Sequence, residues 1–115
     1  MVIWLIGLSG SGKTTLGTKV VHSIRQTGRK VVLIDGDQIR ELHGNDLGYT
    51  LSDRKKNADR ISKLCHFLDQ QGIDVVCAIL SIFSETREWC RKNLTDYYEV
   101  YIETPLEILR MRDSK

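Results

Sequence analysis

Gly7-Leu8-Ser9-Gly10-Ser11-Gly12-Lys13-Thr14 meets the pattern GxxxxGK[ST] at every fixed position. Each residue type has a chemical reason. The glycines allow backbone angles that turn successive N–H groups toward phosphate oxygens. A helix beginning at the end of the loop adds the positive end of its dipole. Lys13 is long enough to reach the β- and γ-phosphates, and the Thr14 hydroxyl is a ligand type that suits Mg²⁺. With Thr15 as the next residue of the helix, Gly7 to Thr15 form the expected ATP-binding segment, and ATP and Mg²⁺ are the expected cofactors. A Gly-rich turn without a ligand is the competing reading, and the apolar run before the loop and the amphipathic run after it argue against that.

The second chemical feature is Asp35-Gly36-Asp37, which follows the apolar run Val31-Val32-Leu33-Ile34. Ligands of open α/β sheets gather at the carboxyl ends of strands. A carboxylate there can hold Mg²⁺ or accept the proton of an attacking hydroxyl. Lys13, Asp35 and Asp37 are therefore the candidate catalytic residues, and Thr14 and Asp35 the candidate metal ligands. The alternative is an Asp pair that merely caps a short helix over 38–42. Farther on, Asp53, Arg54, Asn57 and Arg60 fall at i, i+1, i+4 and i+7, near one edge of a helix. Arginine grips planar anions with two parallel hydrogen bonds. A solvated helix face is the competing reading for Arg54 and Arg60.

These residues need a scaffold, and the sequence supplies one. Residues 2–6, 31–34, 75–80 and 97–102 read as strands, the first three apolar at nearly every position. That pattern suits parallel strands covered on both faces. Leu16, Val20 and Ile24 mark the expected inner face of a first helix, which Gly28 is placed to end. Ala58, Ile61, Cys65 and Leu68 mark a second helix over 52–72, and a third covers 85–94. The alternation predicts an α/β fold, a phosphate-loop NTPase-type three-layer sandwich with a mostly parallel sheet. Thr104-Pro105-Leu106-Glu107 carries the signals of a further helix start. No strand follows it before Lys115, so the domain is expected to be cut short at its C-terminus.

Composition narrows the rest. The 115 residues suit a single domain over 1–115. The 41% apolar and 28% charged fractions are those of a globular chain. No apolar run approaches the ~18 residues of a membrane span, and the N-terminus has no signal-peptide pattern. Seventeen Lys and Arg against fifteen Asp and Glu leave a net charge of +2, too little to suggest nucleic acid or a membrane surface as partner. Cys65, Cys77 and Cys90 form no CxxC pair and read as reduced thiols of a cytoplasmic protein. His22, His43 and His66 have no metal-ligand spacing.

The motifs taken in order carry a resemblance. After the phosphate loop come Asp35-Gly36-Asp37-Gln38-Ile39-Arg40, Leu47-Gly48-Tyr49-Thr50, Asp53-Arg54, Asn57 and Arg60. Ser81-Ile82-Phe83 with Arg87, then Thr104-Pro105-Leu106-Glu107 and Arg112-Asp113, complete the series. This order and spacing resembles the adenylylsulfate kinase (APS kinase) family along essentially the whole chain. The resemblance implies transfer of the γ-phosphoryl group of MgATP to the ribose 3′-hydroxyl of adenosine 5′-phosphosulfate. It implies that Asp35 or Asp37 serves as metal partner or base. It implies that Arg40, Arg54 and Asn57 hold the nucleotide acceptor, that Tyr49 stacks on the acceptor base, and that Ser81 lines its pocket. It also implies a cytosolic homodimer.

Two departures stand out. The family reads Ser-Pro-aromatic where this chain has Ser81-Ile82-Phe83, and a lost proline changes the shape options of that loop. Sequences with such a variant resemble enzymes of surface-polysaccharide decoration, so cytidine diphosphoramidate is the second expected acceptor. The family also continues past Arg112-Asp113 into a basic and aromatic lid. Lids exclude water and complete catalytic constellations, so this polypeptide is expected to bind nucleotide better than it turns it over. A non-catalytic nucleotide-binding remnant and a phosphate-loop hydrolase are the other two readings.

Overall fold

The computed structural model describes residues 1–7 and 12–103. The expectations that rest on Leu8, Ser9, Gly10 and Ser11, and on the helix start at Thr104, lie outside the described residues. Four parallel strands form one sheet in the order β2-β3-β1-β4, with β1 Val2–Ile6, β2 Val31–Asp35, β3 Asp74–Ile79 and β4 Tyr97–Tyr101. The helices between them are α1 Lys13–Gln26, α2 Gly36–Leu42, α3 Leu51–Gln70 and α4 Ser84–Asn93.

The strands interleave two cores because their side chains alternate across the sheet. Val2, Trp4, Ile6, Ile34, Val75, Cys77 and Ile79 face one side, where Ile39 of α2, Ile61 and Cys65 of α3 and Cys90 of α4 cover them. Leu5, Val31 and Val76 face the other side, where Val21 of α1 covers them. Both faces of the sheet are thus closed, which is why β1 and β3 are apolar almost throughout. This is the three-layer α/β architecture expected from the sequence. Among the described residues, β4 pairs with β1 alone, and its first four residues alternate half-buried and exposed.

The inner face of α1 differs from the expected stripe. Its buried residues are Gly17 and Val21, with Val20 and Ile24 half-buried, and Leu16 is exposed at 38%. The helix is rotated by about one residue, because Gly17 lets its backbone come close to Leu5 and Leu33. Leu16 is thereby turned toward the cleft at the carboxyl ends of the strands. Helix α3 starts one residue earlier than expected, with the Thr50 side chain capping Asp53 N at 3.1 Å. Among the described residues, no helix is long and apolar enough to cross a membrane.

Candidate active site

The cleft encloses about 1210 Å³ at the carboxyl ends of the strands. One wall is the start of α1. Gly12 caps it in the left-handed region at φ 89°, which a side chain would disfavour. No side chain caps this end and no acidic residue stands in its first turn. Its amide groups and dipole therefore favour an anion. Lys13, Thr14 and Thr15 line the cleft from that turn.

Opposite them, β2 ends in Asp35. Its carboxylate is fixed at both oxygens. Oδ1 accepts from the Asp37 backbone N–H at 2.8 Å, which caps α2, and Oδ2 accepts from the Thr14 hydroxyl at 3.4 Å. The same side chain that caps α2 thus also meets the first turn of α1. Asp37 points outward from the first turn of α2 and its side chain is 70% exposed. Its Oδ1 accepts from Arg40 Nη1 at 2.9 Å and from the Tyr49 hydroxyl at 3.1 Å.

Tyr49 sits at the centre of a cationic clamp. The Arg40 guanidinium lies 4.4 Å from its ring centroid and that of Arg54 lies 5.3 Å away, both within cation–π range. Arg54 Nε also donates to the Tyr49 carbonyl at 2.8 Å. Arg40 and Asn57 are buried in the wall beneath. Asn57 Nδ2 donates to the Gly36 carbonyl at 3.3 Å. Arg40 Nε and Asn57 Oδ1 have no hydrogen-bond partner among the described residues, although both are buried. Such orphans are costly and mark places where a water or a ligand group completes the wall.

The third wall is the loop after β3. Ser81 adopts φ 53°, which is rare for a residue with a side chain. Arg87 from α4 holds it there, donating to both its carbonyl and its hydroxyl. Next to it, Lys55 Nζ lies 5.9 Å from the Phe83 ring centroid. The cleft thus combines a helix N-terminus for phosphates, an oxygen pair that suits a hard cation, an outward carboxylate and a cation-flanked aromatic ring.

The adenylylsulphate kinase family model matches residues 1–115. The chain belongs to that family. Among curated relatives of this family member, the cytidine diphosphoramidate kinase of Campylobacter jejuni subsp. jejuni serotype O:2 is 38% identical over 117 residues, covering 99% of this chain and 66% of the relative. The probable adenylyl-sulfate kinase of Bacillus subtilis (strain 168) is 39% identical over 116 residues, covering 99% of this chain and 59% of the relative. Among solved structures, the Mycobacterium tuberculosis APS kinase CysC in complex with AMPPNP and APS superposes with a TM-score of 0.88 at 33% identity, over 99% of this chain and 68% of that one. The chain therefore spans about two thirds or less of the length of these curated relatives. The match extends over the whole chain, in line with the resemblance that the sequence motifs carry.

Of the residues expected at the site of this family member, Gly12, Lys13, Thr14, Thr15, Asp35, Asp37, Arg40, Tyr49, Arg54, Asn57 and Ser81 all line the one cleft. Gly7 and Arg60 do not line it: the Gly7 N–H donates to the Ile79 carbonyl at 3.3 Å, and the Arg60 guanidinium pairs with Asp46. Sequence reasoning missed Lys19, Leu16 and Ile102, which also line the cleft. Lys19 follows Lys13 by six residues, about 120° away around a helix, so spacing alone does not pair them.

Proposed function

We propose that the site transfers the γ-phosphoryl group of MgATP to the ribose 3′-hydroxyl of adenosine 5′-phosphosulfate. The observation that carries the reading is the Tyr49 clamp beside Asp37, directly across from the phosphate-binding start of α1. Lys13 and the amides at the N-terminus of α1 would hold the phosphates of ATP. Thr14 Oγ1 and Asp35 Oδ2, 3.4 Å apart, are hard oxygen donors that fit Mg²⁺ bound through one carboxylate and substrate phosphates. The cation would neutralise charge that develops on the phosphoryl oxygens.

Asp35 is committed to Thr14 and to the cap of α2, so the base role falls to Asp37. Its Oδ1 accepts from Arg40 and Tyr49, and Oδ2 would accept the proton of the attacking hydroxyl. The acceptor oxygen forms a bond to the γ-phosphorus while the bond to the β,γ-bridging oxygen breaks, and ADP leaves. Arg40 and Arg54 would pair with the anionic groups of the acceptor, and Tyr49 would stack on its base. Asn57 Oδ1, buried without a partner among the described residues, would take a donor from the acceptor or a water.

A second acceptor, cytidine diphosphoramidate, is favoured by Ile82, which stands where the family carries proline in the pocket loop, and by the similarity to the Campylobacter kinase named for it. The test incubates the chain with MgATP and each acceptor separately, beside a no-acceptor control, and follows phosphorylated nucleotide by mass spectrometry. Product with adenosine 5′-phosphosulfate supports the first reading, and product with the cytidine nucleotide alone supports the second. Phosphate release without any acceptor would overturn both in favour of a hydrolase. The homodimer implied by the family is part of the same proposal, and light scattering checks it.

A further inference from the structure

Tyr49 is carried by a segment that makes no regular structure, 43–50, between α2 and α3. Its first half is held by backbone bonds: His43 N and Asn45 N both donate to the Arg40 carbonyl, the latter at 2.8 Å. After Asn45, which adopts φ 55°, side chains of α3 take over. The Gly48 N–H donates to Asp53 Oδ2 at 2.8 Å, and Arg54 Nε holds the Tyr49 carbonyl. Farthest from the cleft, Arg60 spreads its two terminal nitrogens across both carboxylate oxygens of Asp46, Nη1 to Oδ1 at 3.1 Å and Nη2 to Oδ2 at 2.9 Å. This is the parallel fork geometry in which arginine binds carboxylate with the greatest directional constraint. The Asp46 carboxyl is held below its usual range by that contact.

We infer that Arg60 is a positioning residue for the nucleotide acceptor: it acts through Asp46 to hold the 43–50 segment, and with it the Tyr49 ring, in place over Arg40 and Asp37. The inference rests on the reading of Tyr49 as the acceptor platform. The geometry separates Arg60 from direct binding, since it does not line the cleft. It also separates Arg60 from a solvated face, since its side chain is only 26% exposed and fully engaged with Asp46. A loop that is ordered before the ligand arrives costs less to order on binding. The phosphate end of the cleft is built on other elements, so the contribution is specific to the acceptor.

The test is a charge swap in the full chain. Arg60→Gln, Asp46→Arg and the double variant Asp46→Arg/Arg60→Asp are compared by calorimetric binding of AMPPNP, and of adenosine 5′-phosphosulfate and cytidine diphosphoramidate in its presence. Each single variant is expected to weaken the bound acceptor about fivefold, with AMPPNP affinity unchanged. The swap is expected to recover acceptor binding. In steady-state assays the loss appears in KM for the acceptor and not in kcat. Wild-type acceptor affinity in Arg60→Gln, or an equal loss of AMPPNP and acceptor, overturns the inference, as does a folded swap that fails to recover. Amide exchange across 46–50 provides the reading when the wild-type chain binds neither acceptor. Faster exchange in Arg60→Gln, restored in the swap, then upholds the clasp while the acceptor assignment fails. Unchanged exchange sinks the clasp itself.

Discussion

Gly17 of α1 connects packing to the phosphate site, and its replacement by valine gives a decisive test. A Cβ at this position would lie 3.1 Å from Leu33 Cδ1 and 3.4 Å from Leu5 Cδ1. Carbon pairs prefer roughly 3.5–4.0 Å, so the first contact is too close. For Gly17→Ala the obstacle is one terminal methyl that can shift by a few tenths of an ångström. The helix gains about 1 kcal/mol from losing glycine, which offsets that strain, and the net change is expected near zero. Gly17→Val adds two further methyl groups against the sheet, and overpacking of this kind costs about 1–3 kcal/mol. For a chain of this size each 1 kcal/mol lowers Tm by about 4–8 °C. The helix can relieve the clash only by lifting off the sheet, and its first turn carries Lys13 and Thr14. The Thr14 hydroxyl is already 3.4 Å from Asp35, so little displacement is needed to separate them. Calorimetry should therefore show a lower Tm and weaker AMPPNP binding for valine, with alanine close to wild type. Leu33→Ala placed in the valine background should recover part of both. The reasoning is refuted when valine leaves Tm unchanged, or when Leu33→Ala adds its full separate cost to the valine variant.

Tyr49→Phe keeps the ring and removes one of the two donors to Asp37 Oδ1; with both partners largely exposed, kcat should fall only about threefold, whereas Tyr49→Ala should raise acceptor KM about tenfold. A steady-state comparison of the two variants checks this split. Asp74 is buried and bound by Arg29 through both oxygens and by the Met1 ammonium at 3.1 Å, and these cations hold its carboxyl below the usual range. A depressed carboxyl pKa contributes stability above the unfolded value near 3.9 and loses it as pH falls through the folded one. Denaturation of Asp74→Asn against wild type should therefore show a constant deficit of about 2 kcal/mol above pH 5 that shrinks below about pH 4. Cys65, Cys77 and Cys90 are free and buried, and burial pushes the Cys90 thiol up to about 11. A thiol reagent should label the native chain slowly at neutral pH and label three cysteines after unfolding.

The strands and the helix α1 that follows Gly12 were readable because their signals are local. An apolar run, a glycine-rich turn and an amphipathic segment each lie within a dozen residues. The face of α1 was misread for a physical reason: glycine carries no hydrophobic signal, yet at Gly17 it permits the closest approach of helix and sheet. Leu16, the first apolar candidate on that face, was displaced into the cleft by the same rotation. Asp35 and Asp37 were identified together but not told apart. Their division follows from the cap of α2, which ties Asp35 to the Asp37 amide and turns Asp37 outward. The clasp between Asp46 and Arg60 spans 14 residues, and the hold of Arg87 on Ser81 depends on a backbone angle. Neither has a sequence signature, because each exists only once α3 and α4 have docked on the sheet.

Charge shows the same limit of whole-chain arithmetic. A net charge of +2 suggests no strongly anionic partner. Among the described residues that line the cleft, however, Lys13, Lys19, Arg40 and Arg54 stand beside Asp35 and Asp37. Four cations against two carboxylates on low-dielectric walls concentrate a positive field where the bulk protein has almost none. Outside the cleft, several basic side chains are matched at close range: Arg29 with Asp74, Arg60 with Asp46, Arg91 with Glu99 and Lys55 with Asp59. The surplus is thus local. In the proposed reaction it would let two anionic substrates sit side by side, which would otherwise repel each other.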